Sequence, residues 1–155
     1  MTVLTGWARV GLWLLHLHQA AYDLSDGRVG EHMLGVPCLL LRTTGRRSGK
    51  TRTVSLVYAR DGDDYVVVAS LGGSDQAPAW LHNVRADPQV GVQVGRRRFP
   101  AVAQVMEPGD EDYARLWRAV NEANRGRYDR YQAKTTRSIP LVRLTPRDEP
   151  ATPAG

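Results

Sequence analysis

The sequence predicts a mainly β, α+β domain: a small antiparallel barrel, closed or split, with an N-terminal helix and further helices between its hairpins. Short apolar or alternating runs recur at residues 36–41, 53–58, 65–70, 90–94, 99–105 and 139–144, the pattern of strands. Turn signals separate them, at Gly45 to Gly49, at Asp61-Gly62-Asp63 and at Gly95-Arg96-Arg97-Arg98. Few connections are long enough for the crossovers of a parallel sheet, so neighbouring strands run antiparallel.

Residues 3–24 carry Leu4, Trp7, Val10, Leu14, Leu17 and Ala21 at steps of three and four, which predicts an amphipathic helix over 1–25 packed on the barrel or over its site. Its apolar run is too short to span a bilayer, and a signal peptide is the weaker alternative because Arg9 is the only cation before Asp23 and histidines interrupt the apolar stretch. Peripheral contact with a membrane through this helix stays open, although its polar face lacks the usual Lys and Arg.

A Gly-rich connection over 26–35 leads into the first two strands, and the third follows the turn at Gly62. Residues 71–75 form a loop, and Pro78 suits the first turn of a short helix over 79–85 that Asp87-Pro88 ends. Two strands then flank the basic turn at 95–98. Pro108-Gly109-Asp110 begins a helix through about Ala123, with Tyr113, Leu116, Trp117 and Val120 on a core face. A second helical piece holds Tyr128 and Tyr131 on one side, three residues apart. The barrel domain spans 26–146, and the Pro-rich, charged tail over 147–155 reads as disordered.

With 155 residues the chain is one domain, able to bury about two-thirds of its unfolded surface without a metal or disulfide. The formal charge of +5 favours an acidic partner. Phe99 is the only phenylalanine and the tryptophans are scattered, so the stacking platform of a single-strand nucleic-acid binder is absent from the sequence. The lone Cys38 excludes an internal disulfide and fits a reducing cytoplasm. His16, His18, His32 and His82 lack metal-ligand spacing.

The stretch with most chemistry is Gly45-Arg46-Arg47-Ser48-Gly49-Lys50-Thr51-Arg52. Two glycines able to take positive φ would let backbone N–H groups converge on phosphate or carboxylate oxygens, while the guanidinium forks add bidentate bonds. It is one residue short of a P-loop and runs into a β-branched, alternating segment instead of a helix, so nucleotide triphosphate hydrolysis is rejected. A merely solvated hairpin tip remains the alternative.

In order and spacing, Leu39 to Gly49, Arg52-Thr53-Val54, Asp61-Gly62-Asp63, Val66 to Ser70 with Gly72-Gly73, Pro78-Ala79-Trp80 with His82-Asn83, Asn83 to Pro88, and Tyr131-Gln132 ahead of Ile139-Pro140 resemble the deazaflavin-dependent nitroreductase family. The resemblance runs from about Val36 to Pro146. It implies a split β-barrel and coenzyme F420, whose phosphate and polyglutamate tail would dock on the cationic turn. On that likeness Arg46, Arg47, Ser48 and Arg52 hold the tail, Lys50 adds charge, and Ala69, Ser70, Gly72 and Gly73 let backbone approach the ring. Trp80 and Asn83 would line the groove, against the alternatives of a core Trp80 and an Asn83 capping its helix.

Tyr128 and Tyr131 match tyrosines over the substrate pocket, and with Ser70 they are the implied catalytic residues. The implied activity is hydride transfer from reduced F420 to a lipophilic, electron-poor acceptor: a quinone such as menaquinone, an enone or a nitroaromatic. The implied place is the cytoplasm or the inner face of the membrane, with a homodimer open. Leu71 stands where nitroimidazole-activating relatives have lysine, Val57 replaces an aromatic, and Arg125 replaces a third tyrosine, so the acceptor is left open. The rivals are an FMN-dependent split-barrel oxidoreductase and a non-catalytic basic module binding nucleic acid or membrane through 46–52 and 96–98.

Overall fold

The structure, a computed structural model, describes residues 32–33 and 36–148. The helix expected over 3–24, most of the 26–35 connection and the tail from 149 lie outside the described residues. Among the described residues there are seven strands: β1 (His32–Met33), β2 (Val36–Thr44), β3 (Thr51–Asp61), β4 (Asp64–Val68), β5 (Gln89–Val94), β6 (Arg97–Met106) and β7 (Leu141–Pro146). Three helices interrupt them: α1 (Ala79–Ala86), α2 (Tyr113–Ala123) and α3 (Arg127–Ala133).

The strand order is β1-β2-β3-β4-β7-β6-β5, every neighbour antiparallel, and β2 also pairs β5. That second pairing, Leu40 opposite Gln93 and Arg42 opposite Gly91, closes β2 to β7 into a six-stranded barrel. Closure removes the exposed edges an open sheet would carry. The expected barrel with helical insertions is therefore the observed fold.

Strand periodicity sorts the side chains into two cores. Leu39, Leu41, Tyr65, Val67, Val92 and Leu144 fill the barrel, and Val36, Cys38, Val66, Val68, Leu116 and Val120 lie between its wall and the helices. β2 and β4 are buried on both faces, which is why their sequences read as unbroken apolar runs and not as alternation. On α2 only Leu116 and Val120 are fully buried, while Tyr113 and Trp117 pack half-buried at the edge.

α2 begins later than Pro108 because Gly109 at φ 100° and Asp112 at φ 70° break helical geometry. It ends in a Schellman motif: Gly126 N–H reaches the Asn121 carbonyl at 2.8 Å, and Arg125 N–H that of Glu122 at 3.0 Å. Arg125 takes the left-handed position, φ 57°, where glycine is usual. This break separates α2 from α3.

Helix α2 is held by ions and by one hydroxyl. Asp61 pairs with Arg115 at 2.9 Å and with Arg143 at 3.4 Å, and Arg115 and Arg143 both also reach Asp112. Tyr113 Oη donates to the Ile139 carbonyl at 2.5 Å, and burial with Glu107 nearby pushes its pKa up to about 12. Arg147 N–H donates to the Pro100 carbonyl at 2.9 Å, so the expected tail is tied down at its first residue.

Candidate active site

Pairing of Thr44 with Thr51 makes the cationic segment the tip of the β2–β3 hairpin. Gly45 N–H donates to the Lys50 carbonyl and Gly49 N–H to the Gly45 carbonyl, both at 2.8 Å, and Ser48 Oγ accepts Lys50 N–H at 3.2 Å. Gly49 takes the positive φ expected of it, 70°, but Gly45 does not. Gly45 instead sits in a tight spot: a Cβ there would lie 2.7 Å from Ser48 Oγ, which can rotate away, and 3.2 Å from the Lys50 carbonyl oxygen, which can give only slightly. Arg46, Arg47, Lys50 and Arg52 are exposed, and none pairs with a carboxylate among the described residues.

Helix α1 docks beside this tip. Asn83, buried, accepts the Arg46 N–H on Oδ1 at 3.1 Å and donates through Nδ2 to Thr43 Oγ1 at 3.2 Å. The helix end is closed by Asp87 N–H on the Asn83 carbonyl at 2.8 Å, so the Asn83 side chain is not a cap. Between turn and helix runs a groove of about 640 Å³, lined by Arg46, Arg47, Ser48 and Arg52 from the turn and by Leu71, Pro78 and Trp80 from the loop and helix. Trp80 also belongs to the barrel core, so both readings of it hold.

A second cavity of about 320 Å³ continues from the groove, since Val54, Leu71, Pro78 and Trp80 line both. Its strand side presents Ser55 and Val57, its loop side Ser70 and Gly72, and its helical side Asn124, Arg127, Tyr128 and Tyr131. The Ser70 loop is firmly built. Ser70 Oγ accepts Gly73 N–H at 3.1 Å, and the Arg137 guanidinium reaches the carbonyls of Ala69, Ser74 and Gln76 at 3.4 Å each. A Cβ on Gly73 would lie 2.8 Å from the Tyr131 carbonyl oxygen. The Tyr128 and Tyr131 rings meet edge to face at 5.9 Å. Burial pushes the Tyr128 hydroxyl well above the ordinary tyrosine range, with Tyr131 and Cys38 adding to it, so it remains protonated at neutral pH.

The structure thus brings Arg46, Arg47, Ser48, Arg52, Trp80 and Asn83 together along the groove, and Ser70, Gly72, Tyr128 and Tyr131 around the cavity. Three expected residues sit aside. Ala69 is fully buried with its N–H on the Pro140 carbonyl, Gly73 packs on the Tyr131 backbone, and Lys50 lines neither space. Asn124, Arg127, Ser55 and Arg137 were not anticipated. Arg127 precedes Tyr128 directly, but nothing in one sequence marks a charge as facing a cavity.

The groove suits F420: unpaired cations for a phosphate and acidic tail, then apolar walls for a ring system. The sequence model of a family described as F420H(2)-dependent quinone reductase matches residues 14–146. The chain belongs to that family. It is an F420-dependent oxidoreductase on a split β-barrel, as the sequence motifs implied, and coenzyme F420 is its cofactor. The F420H(2)-dependent quinone reductase Rv1261c of Mycobacterium tuberculosis is 51% identical over 139 residues, covering 89% of this chain and 93% of the relative. Among solved structures, an F420-H2 dependent reductase, FDR-A, superposes with TM-score 0.63 at 38% identity over 70% of this chain and 93% of its own. A chain described as a domain-swapped dimer has TM-score 0.65 at 36% identity, covering 90% of this chain and 98% of its own.

The two basic turns of this F420H(2)-dependent quinone reductase family member do not form one surface. β5 runs antiparallel to β2 with Gln93 opposite Leu40, so the 95–98 turn lies toward the start of β2 and the 45–50 tip beyond its end. From Cys38 to Gly45 the strand spans roughly 23 Å. Among the described residues no group of three or more His, Cys, Asp or Glu could hold a metal ion, and no helix is long and apolar enough to cross a membrane.

Proposed function

We propose that this enzyme transfers hydride from C5 of reduced F420 to a quinone, with menaquinone the candidate acceptor and enones and nitroaromatics a wider range. One observation carries the reading: the cation-lined groove opens into an apolar cavity holding Ser70, Tyr128 and Tyr131. Arg46, Arg47 and Arg52 bind the anionic end through charge-assisted bonds, and Lys50 supplies a further positive charge nearby. Ser48, Trp80 and Asn83 line its path, and Ser70 and Gly72 form the wall beside the ring, with Ala69 and Gly73 behind them holding the loop. The cofactor, when bound, supplies the hydride.

Ser70 Oγ already accepts the Gly73 N–H, which leaves its own O–H to donate. That donor, with the hydroxyls of Tyr128 and Tyr131, stabilises the oxygen that becomes negative as hydride arrives. The apolar cavity walls exclude water and hold the acceptor against the ring. A homodimer belongs to this reading through the likeness to the domain-swapped chain.

The test is a fluorescence titration with F420 and, in parallel, with FMN, on the protein and on its Arg46→Ala/Arg47→Ala variant. Tight F420 binding, little FMN binding and at least a tenfold loss in the variant are expected, about the worth of one charge-assisted bond. Unchanged F420 affinity in the variant would remove the tail from this turn, and preference for FMN would overturn the cofactor assignment.

A further inference from the structure

The cavity that continues from the groove carries polar groups on two sides, Ser70 on the loop side and Asn124 with Arg127 on the helical side, and the proposed chemistry at Ser70 uses the first pole. Arg127 is the one charged residue lining this cavity among the described residues. No carboxylate pairs with it among them, and its bond of Nη1 to Asn124 Oδ1 at 3.1 Å anchors the guanidinium while leaving four of its five N–H donors. Asn124 is itself buried at the α2–α3 junction, so the anchor is fixed. Arg127 is half-buried at the cavity wall, where an acceptor oxygen of an occupant can take its remaining donors in charge-assisted bonds.

A second observation points the same way. Ser55 lines the same cavity, and its Oγ is buried without a hydrogen-bond partner among the described residues. Side-chain alternation along β3 puts Ser55 on the face of Val57, toward the helices and not the barrel interior. A buried hydroxyl left unpaired is unfavourable, and a polar ligand atom removes that cost.

We propose that Arg127, held by Asn124 and aided by the Ser55 hydroxyl, is the specificity-determining residue that binds the second carbonyl oxygen of a 1,4-quinone while Ser70 serves the first. This rests on the cavity being the acceptor site. The chemistry demands such a pole: on gaining a hydride, with its electron pair, the quinone becomes the hydroquinone monoanion, and taking up one proton completes the hydroquinone as reduced deazaflavin is oxidised. The negative charge is conjugated to the second oxygen, where a guanidinium stabilises it. An acceptor with one carbonyl leaves Arg127 unsatisfied.

The experiment is calorimetric titration of the protein loaded with oxidised F420, in which no turnover occurs, using 1,4-naphthoquinone and the mono-ketone 1-tetralone as probes. The unmodified protein is expected to bind the dione roughly tenfold more tightly or better. Arg127→Met should abolish that preference and leave tetralone within about twofold, and Ser55→Ala should weaken the dione by a few-fold. Arg127→Lys keeps the charge and stem and should retain part of the preference, which guards against a folding defect in the methionine variant. An unchanged dione preference in the Arg127→Met protein would overturn the proposal while leaving the acceptor site standing. Failure of both probes to bind the loaded protein would overturn the acceptor site and the proposal with it.

Discussion

Asn83 Oδ1 accepts the backbone N–H of Arg46 at 3.1 Å, so a buried side chain of the short helix α1 fixes the first cation of the hairpin tip. The Arg46 guanidinium approaches the same oxygen at 3.4 Å, and Thr43 receives the Asn83 amide. The anion turn is therefore braced from outside its own hairpin. Asn83→Ala is expected to cost about 1–3 kcal/mol through unpaired polar groups, and to weaken F420 binding roughly tenfold through a looser turn. Urea unfolding and F420 fluorescence measure the two, and intact affinity beside lost stability would refute the bracing role.

Gly73 combines a φ of 84° with a backbone neighbour, the Tyr131 carbonyl oxygen, 2.8 Å from where a Cβ would sit. Gly72 has φ 61° and open space around it. Gly73→Ala should therefore destabilise by about 2 kcal/mol or more and lower turnover, since loop and α3 must separate, whereas Gly72→Ala costs only about 1–2 kcal/mol. Equal melting temperatures for the two variants would count against the close approach.

Arg125 occupies a left-handed position, φ 57°, and is exposed. Replacing it by glycine should stabilise the protein by about 0.5–1 kcal/mol, the strain relieved less the added freedom of the unfolded chain. Denaturant midpoints decide it, and a lower midpoint for Arg125→Gly would show that the arginine earns its place by contacts.

The hydrogen bond from Arg115, aided by the charges of Arg115 and Arg143, holds the Asp61 carboxyl below its ordinary value of 3.8 against the opposing effect of burial. A folded pKa below the unfolded one contributes stability that is fully present above about pH 4 and is lost as pH falls through the folded value. Asp61→Asn should thus flatten the stability profile below pH 4 while lowering stability at neutral pH. Parallel acid limbs for the two proteins would exclude the linkage.

Tyr131→Phe should reduce quinone turnover by roughly tenfold or more with F420 affinity unchanged, because only a donor to the developing oxyanion is removed. Stopped-flow oxidation of reduced F420 is the measurement. Turnover equal to the unmodified enzyme would leave Tyr131 a wall of the cavity and assign the donor role to Ser70 and Tyr128.

The sequence by itself determined what short-range physics controls. Runs of β-branched and aliphatic residues set the strands, Pro78 set the start of α1, and two glycines among four cations marked the hairpin tip at 45–50. The order of motifs carried the family and its cofactor. Helix starts and ends were less legible: the left-handed turns at Asp112 and Arg125 occupy residues that carry no glycine signal.

Tertiary structure decided the rest. Closure of β2 on β5 put the two basic turns at opposite ends of β2, and no local pattern encodes a pairing between residues about fifty positions apart. Docking of α3 against the Ser70 loop brought Ser55, Ser70, Arg127 and Tyr131 around one cavity from three separate segments. A serine on a strand and an arginine at a helix start are ordinary surface residues until packing removes their water, and burial is a property of the assembled molecule.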